Sequence, residues 1–199
     1  MIDTKWRKLF QPLFNLLARP LVRLRVTPDT ITWTAFALGL MAGLCLAIGY
    51  PVIALILLWL SGLLDVLDGT VARLTGNTSK KGAYLDLILD RMVESAMILG
   101  FVWARPDMAF AGLLFFTAVL FNFTTFIVAG ALFANQGNKS MHYDVGLAER
   151  TETFLVFSLL ILIPAASLPI LLVFDVIIFL TGVLRFIRII RHQRESQRE

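Results

Sequence analysis

Residues 52–104 decide the fold of this chain, and they read VIALILLWLSGLLDVLDGTVARLTGNTSKKGAYLDLILDRMVESAMILGFVWA. Two apolar runs flank the polar loop 75–80, and each run is long enough to cross the hydrocarbon of a membrane, which takes about 20 residues. The runs are interrupted by four aspartates, Asp65, Asp68, Asp86 and Asp90. We therefore expect two membrane helices that carry a set of carboxylates.

The composition places the whole chain in the membrane class. Of its 199 residues 58% are hydrophobic and only 16% are charged, and the mean hydropathy is +0.79. A soluble domain is about a quarter charged. Four more apolar runs lie near 30–49, 108–133, 150–163 and 170–190. We predict an all-α integral membrane protein with six transmembrane helices and, because Cys45 is the only cysteine, no disulfide within the chain.

The distribution of lysine and arginine predicts the orientation. Basic residues cluster before the first apolar run, in the second–third and fourth–fifth connections and after the last run, whereas the opposite connections hold only Arg105. Cytoplasmic loops of membrane proteins carry the excess of positive charge. We expect both termini and the aspartates on the cytoplasmic side, in the inner membrane if the source is bacterial.

The N-terminal segment predicts a separate helix. Between Trp6 and Leu24, apolar residues are interleaved with lysine and arginine, which is typical of a helix that lies on an anionic membrane surface. A cytoplasmic helix packed on the bundle is the alternative. The expected organisation is an amphipathic juxtamembrane helix at 1–26, a six-helix membrane domain at 27–190 and a basic tail at 191–199.

The spacing of the aspartates predicts that they converge. Asp65 and Asp68 are three residues apart and Asp86 and Asp90 are four apart, so each pair lies on one face of its helix. Like charges in an apolar setting are costly. Either some of the carboxylates are protonated, as in a proton relay, or they bind hard divalent cations such as Mg²⁺ or Mn²⁺. A pair of such ions is suited to phosphoryl displacement.

The same residues form the pattern D-x2-D-G-x2-A-R-x8-G-x3-D-x3-D, which resembles the signature of the CDP-alcohol phosphotransferases. The resemblance implies a CDP-diacylglycerol-type lipid donor, release of CMP, two Mg²⁺ or Mn²⁺ ions and a homodimer; no nucleic-acid partner is expected. It implies that Asp90 is the general base that deprotonates the acceptor alcohol. The implied metal ligands are Asp65, Asp68, Asp86 and also Asp90, and the implied nucleotide-binding residues are Asp65, Asp68, Gly69, Ala72, Arg73 and Gly82.

The acceptor is less well specified by the sequence. Residues 146–153 resemble a stretch in the phosphatidylinositol phosphate synthases of that family, but Thr153 stands where a second basic residue is expected. This departure argues against an inositol phosphate acceptor and leaves glycerol 3-phosphate and unphosphorylated alcohols open. The candidate acceptor residues are Lys139, Glu149, Arg150 and Glu152. We interpret Arg185 and Arg188 as interfacial residues, whose charge extends to the membrane surface, rather than as site residues.

Two other functions compete with this interpretation. Intramembrane prenyltransferases also bind a diphosphate through aspartates and Mg²⁺, but their motifs are widely separated, whereas these pairs fall in one helical hairpin. An ion or proton transporter would use the carboxylates as a path, but it does not explain Gly69, Ala72, Arg73 and Gly82.

Overall fold

The computed structural model describes residues 2–133 and 150–196, and within them it is helical and contains no strand. Its helices are α1 (Ile2–Arg23), α2 (Pro28–Ala47), α3 (Pro51–Thr75), α4 (Lys80–Ala104), α5 (Ala109–Phe133), α6 (Arg150–Leu162) and α7 (Ser167–Ser196). Short 3₁₀ turns at Pro106–Met108 and Pro164–Ala166 precede α5 and α7. The all-α prediction is confirmed, and α7 begins three residues before and ends six residues after the predicted run.

Local sequence explains where the helices near the aspartates begin and end. The side chain of Thr27 accepts a hydrogen bond from the Thr30 N–H, and Pro28 occupies the first helical position of α2, which needs no N–H donor. At the end of α3, Gly76 adopts a left-handed conformation with φ of 70°, and its N–H and that of Asn77 bond back to carbonyls of the last turn. Ser79 caps α4 by accepting from the Gly82 N–H.

The contacts divide the chain into two compact units, of which the first spans residues 2–109. In this unit α2 packs against both α3 and α4. The contact with α4 is close because glycines remove the side chains: a Cβ added to Gly100 would lie 2.3 Å from the Gly43 carbonyl oxygen, and one added to Gly43 would lie 2.4 Å from the Ala96 carbonyl oxygen. The backbones of α2 and α4 therefore touch.

Helix α1 packs against α3. Ala18 of α1 is fully buried in a cluster with Ile31 of α2 and with Leu67 and Val71 of α3. The other face of α1 exposes large apolar side chains, those of Phe10, Leu13, Leu16 and Leu17. The helix thus has one apolar face against the protein and a second that is uncovered.

The second unit spans residues 110–199, and its described helices are α5, α6 and α7. Aromatic rings hold these helices together: Phe115 of α5 contacts Phe157 of α6 and Phe174 of α7. Nearer the end of α7, Gly182 lies against Phe121, where a Cβ would be 2.8 Å from the ring.

Within the described residues, four helical stretches are long and apolar enough to cross a membrane, namely 28–47, 51–75, 106–132 and 164–191. Helix α4 has 25 residues, but its first half carries too many charges to qualify. Helix α6 has 13 residues, which at 1.5 Å per residue is shorter than the hydrocarbon is thick. The protein is therefore a multi-pass membrane protein. In the described residues, four of the six predicted spans are long and apolar enough to cross a membrane.

Candidate metal and nucleotide site

Three of the four aspartates come together in the first unit. Asp65 and Asp68 of α3 and Asp86 of α4 each offer a carboxylate oxygen, and these oxygens lie within 4.8 Å of one another. Asp68 is buried, whereas the other two are half-buried. Carboxylate oxygens at this separation suit a hard divalent cation, so these residues fit Mg²⁺ or Mn²⁺.

A threonine of α2 holds the most buried of these carboxylates. The Thr32 hydroxyl donates a hydrogen bond to Asp68 Oδ2 at 2.5 Å, and Thr32 and Asp68 are each 7% exposed. A hydroxyl that donates to an ionised carboxylate makes a shorter and stronger hydrogen bond than one between neutral groups. The sequence did not predict this partner, because Thr32 and Asp68 are 36 residues apart.

Asp90 lies one helical turn after Asp86 on α4, is half-buried and is not part of the three-carboxylate group. The next residue, Arg91, pairs with Glu94 at 2.7 Å, and the Glu94 side chain is only 4% exposed. The guanidinium of Arg91 thus compensates a buried carboxylate one turn deeper in α4.

The predicted nucleotide-binding residues lie in the C-terminal half of α3 and at the start of α4. Gly69 and Ala72 are half-buried, while Arg73 is exposed and donates a hydrogen bond to the Thr70 hydroxyl at 3.1 Å. A Cβ on Gly82 would meet the Ser79 hydroxyl at 3.3 Å. The absence of a side chain at Gly82 therefore leaves room for the Ser79 cap at the start of α4, apart from its predicted role in nucleotide binding.

The side chains of three of the four candidate acceptor residues lie outside the residues that the structure describes. Lys139 and Glu149 fall in residues 134–149, and only the backbone of Arg150 is described. Glu152 is half-buried at the start of α6. Thr153, which replaces an expected basic residue, is 6% exposed.

The structure gives Arg185 definite partners within the protein. Its guanidinium donates to the backbone oxygen and to the side-chain oxygen of Asn122, at 3.0 and 2.7 Å, and lies over the Phe126 ring. The arginine therefore ties α7 to α5, and its position relative to the membrane interface stays a prediction. Asp175 is a further residue that the sequence did not single out: it is 4% exposed, and neither carboxylate oxygen has a hydrogen-bond partner among the described residues.

Comparison with protein families decides the relationship. The family model of the CDP-alcohol phosphatidyltransferases matches residues 25–188. The chain belongs to the CDP-alcohol phosphatidyltransferase family. The resemblance predicted from the aspartate signature is thereby confirmed, and the protein is an enzyme that transfers a substituted phosphate group.

Individual relatives agree with the family. The chain is 36% identical over 173 residues to the inner membrane protein YnjF of Escherichia coli, covering 83% of this chain and 84% of that protein. It is 31% identical over 151 residues to the phosphatidylinositol phosphate synthase of Mycobacteroides abscessus, covering 75% of this chain and 68% of that enzyme.

A solved structure supports the fold. The phosphatidylinositol phosphate synthase of Mycobacterium tuberculosis, in complex with manganese and citrate, matches with a TM-score of 0.74 at 23% identity, over 88% of each chain. The same enzyme with CDP-DAG bound matches with a TM-score of 0.64 over 92% of each chain. At this identity the likeness establishes a shared CDP-alcohol phosphatidyltransferase fold.

Proposed function

We propose that this CDP-alcohol phosphatidyltransferase moves the phosphatidyl group of CDP-diacylglycerol to an acceptor alcohol and releases CMP. The observation that carries the proposal is the convergence of Asp65, Asp68 and Asp86 within 4.8 Å inside the family's signature. The related synthase that binds CDP-DAG supports the choice of donor. Neither a prenyltransferase nor a transporter accounts for the family match at 25–188.

In the proposed reaction the acceptor oxygen forms a bond to the phosphorus that carries the diacylglycerol. The bond from that phosphorus to the bridging oxygen breaks, and its electron pair leaves with CMP. Asp65, Asp68 and Asp86 would hold two Mg²⁺ or Mn²⁺ ions, and the related synthase in complex with manganese supports this choice. Such ions, when bound, neutralise the diphosphate and the leaving phosphate.

Asp90 is proposed to accept the proton of the acceptor hydroxyl on a carboxylate oxygen. Its place one turn from Asp86 supports this role, because a base must be within hydrogen-bond reach of the oxygen that attacks. A carboxylate is a weak base, so its effect depends on holding the acceptor oxygen in place. We also propose that Asp90 contributes a ligand to the metal site, as the family resemblance implies.

The nucleotide is proposed to bind along α3 and the start of α4. Arg73 is exposed, and its planar guanidinium can donate two parallel hydrogen bonds to a phosphate. Because Gly69 has no side chain and Ala72 has only a methyl group, a flat base can approach the surface of α3 closely.

For the acceptor, we propose an alcohol bound near the start of α6, with Lys139, Glu149, Arg150 and Glu152 as its contacts. Several relatives are inositol phosphate synthases, but the buried Thr153 offers no positive charge for a phosphate. A comparison of inositol phosphate, glycerol 3-phosphate and unphosphorylated polyols as acceptors will identify the alcohol.

The proposed topology has six spans, with both termini and the aspartates in the cytoplasm and α1 on the anionic leaflet. The exposed Leu13, Leu16 and Leu17 and the exposed Arg19 and Arg23 of α1 support this placement. The single cysteine offers a direct test: in a Cys45→Ala background, a cysteine placed at 77 should react with impermeant thiol reagents only from the cytoplasmic side, and one placed at 107 only from the outside. The reverse labelling would contradict the orientation.

The function itself is tested with purified protein and CDP-diacylglycerol labelled in the lipid. With the right alcohol, mass spectrometry should find a new phospholipid that contains the acceptor, formed in equal amount to CMP. Asp90→Asn should abolish that lipid while the protein remains folded. Prenyl transfer, or ion flux without CMP release, would contradict the proposal.

A further inference from the structure

The Thr32 hydroxyl lies within reach of two hydrogen-bond acceptors, the Asp68 carboxylate and the Pro28 carbonyl. The Thr32 hydroxyl lies 2.5 Å from Asp68 Oδ2 and 3.0 Å from the Pro28 carbonyl oxygen. A hydroxyl has one hydrogen to donate, and an ionised carboxylate is the stronger acceptor. The hydrogen therefore goes to Asp68 rather than to the Pro28 carbonyl oxygen.

The surroundings of this bond fix the two residues that make it. Ile31 precedes Thr32 and Leu67 precedes Asp68, and these two neighbours are 3% and 5% exposed in the cluster closed by Ala18 of α1. Helix α1 thus packs over the junction of α2 and α3 at the level of the hydrogen bond. The backbone segments that carry Thr32 and Asp68 are therefore held by the packing of three helices.

We propose that Thr32 is a positioning residue for metal binding, and that its hydroxyl turns the Asp68 carboxylate toward Asp65 and Asp86. This inference rests on the proposed function, because it takes the three carboxylates as the metal ligands. A carboxylate has about four lone-pair positions, so accepting from Thr32 leaves Asp68 able to bind a cation. Partners of this kind set the orientation of a ligand, and their loss typically costs about 10–100-fold in metal affinity or activity.

The chain offers a matched control two residues away. Thr34 is also on α2, and its hydroxyl donates to the Thr30 carbonyl oxygen at 2.8 Å, but it is exposed and contacts no carboxylate in the described residues. Thr32→Val removes the hydroxyl and keeps the shape of the side chain, whereas Thr32→Ser keeps the hydroxyl. Thr34→Val makes the same chemical change away from the site.

The experiment measures Mn²⁺ binding to the purified full chain by electron paramagnetic resonance of the free ion, without any substrate. Thr32→Val should raise the dissociation constant about 10–100-fold, while Thr32→Ser and Thr34→Val should stay near the wild-type value. Thermal unfolding of the metal-free proteins checks that each variant is folded, and Thr32→Ala repeats the measurement if the valine variant is not recovered.

Two results would overturn the proposal. Wild-type Mn²⁺ affinity in Thr32→Val, or in its alanine substitute, would show that the hydroxyl does not orient Asp68. Equal loss in Thr32→Ser and Thr32→Val would show that keeping the hydroxyl does not preserve Mn²⁺ affinity, which would contradict a positioning role for it. The proposed transferase function is scored separately by CMP release, so its failure would leave the shift in Mn²⁺ affinity standing.

Discussion

Replacing Gly100 by alanine tests whether the close contact of α2 and α4 holds the carboxylate site together. The added Cβ would lie 2.3 Å from the Gly43 carbonyl oxygen, and a backbone atom cannot rotate away. Carbon–oxygen contacts between close backbones are about 3.3–3.6 Å. The two helices must therefore move apart by about 1 Å at this point, and α4 carries Asp86 and Asp90.

The expected loss of stability follows from two opposing effects. Overpacking a well-packed core costs about 1–3 kcal/mol, and the upper value applies because the obstacle is backbone. Alanine in a helix interior gains about 0.5–1 kcal/mol over glycine. The net loss for Gly100→Ala is then about 2 kcal/mol. Gly130 is the control, because a Cβ there meets nothing within 4 Å and only the gain remains.

The assay is reversible unfolding by sodium dodecyl sulfate of the detergent-purified protein, followed by helical circular dichroism, with Mn²⁺ affinity measured on the same samples. Gly100→Ala should unfold at lower detergent fraction and bind Mn²⁺ more weakly, while Gly130→Ala should do neither. Equal stability of the two variants would refute the account of the α2–α4 contact.

Three further predictions concern charge and turn geometry. Arg91→Met removes the guanidinium that pairs with the buried Glu94 and should cost about 3–5 kcal/mol in the same unfolding assay. An accompanying Glu94→Leu should recover most of the loss, and a loss below about 1 kcal/mol would contradict the pairing. Asp175→Asn should maintain or raise stability and leave CMP release unchanged, because the carboxylate has no hydrogen-bond partner in the described residues; loss of activity would assign Asp175 a role in the reaction. Gly76→Ala should cost about 1 kcal/mol although the position is open, since its φ is 70°, and Gly76→Asn should cost less; equal stability of all three would contradict the left-handed cap.

Features set by neighbouring residues were predictable from the sequence. The start of α2 follows from Thr27 and Pro28, and the break after α4 follows from Pro106. The convergence of Asp65, Asp68 and Asp86 follows from helical spacing and a short loop, whereas Asp90, which was expected to join them, is not part of the group. The Arg91–Glu94 pair is also local, three residues apart, and helical spacing alone could have found it.

Features that depend on the packing of distant segments were not predictable. Thr32 reaches Asp68 only because α2 packs against α3, and Arg185 meets Asn122 across 63 residues. Six spans were predicted, and α4 is not among the helices that are apolar enough to span a membrane in the described residues. The charges that make α4 a candidate site also lower its hydropathy. Sequence patterns report which residues share a helix face, and the partner of that face is set by tertiary packing.

We propose that Asp65, Asp68 and Asp86 form a metal site at which CDP-diacylglycerol is cleaved. The most direct measurement is CMP release from that lipid by purified protein in the presence of the acceptor alcohol, with and without a chelator, for the wild type and for each aspartate changed to asparagine. The account predicts that release requires Mg²⁺ or Mn²⁺ and is lost in all three variants, although each remains folded. Release that persists in the chelator, or in any of the three variants at the wild-type rate, would contradict it.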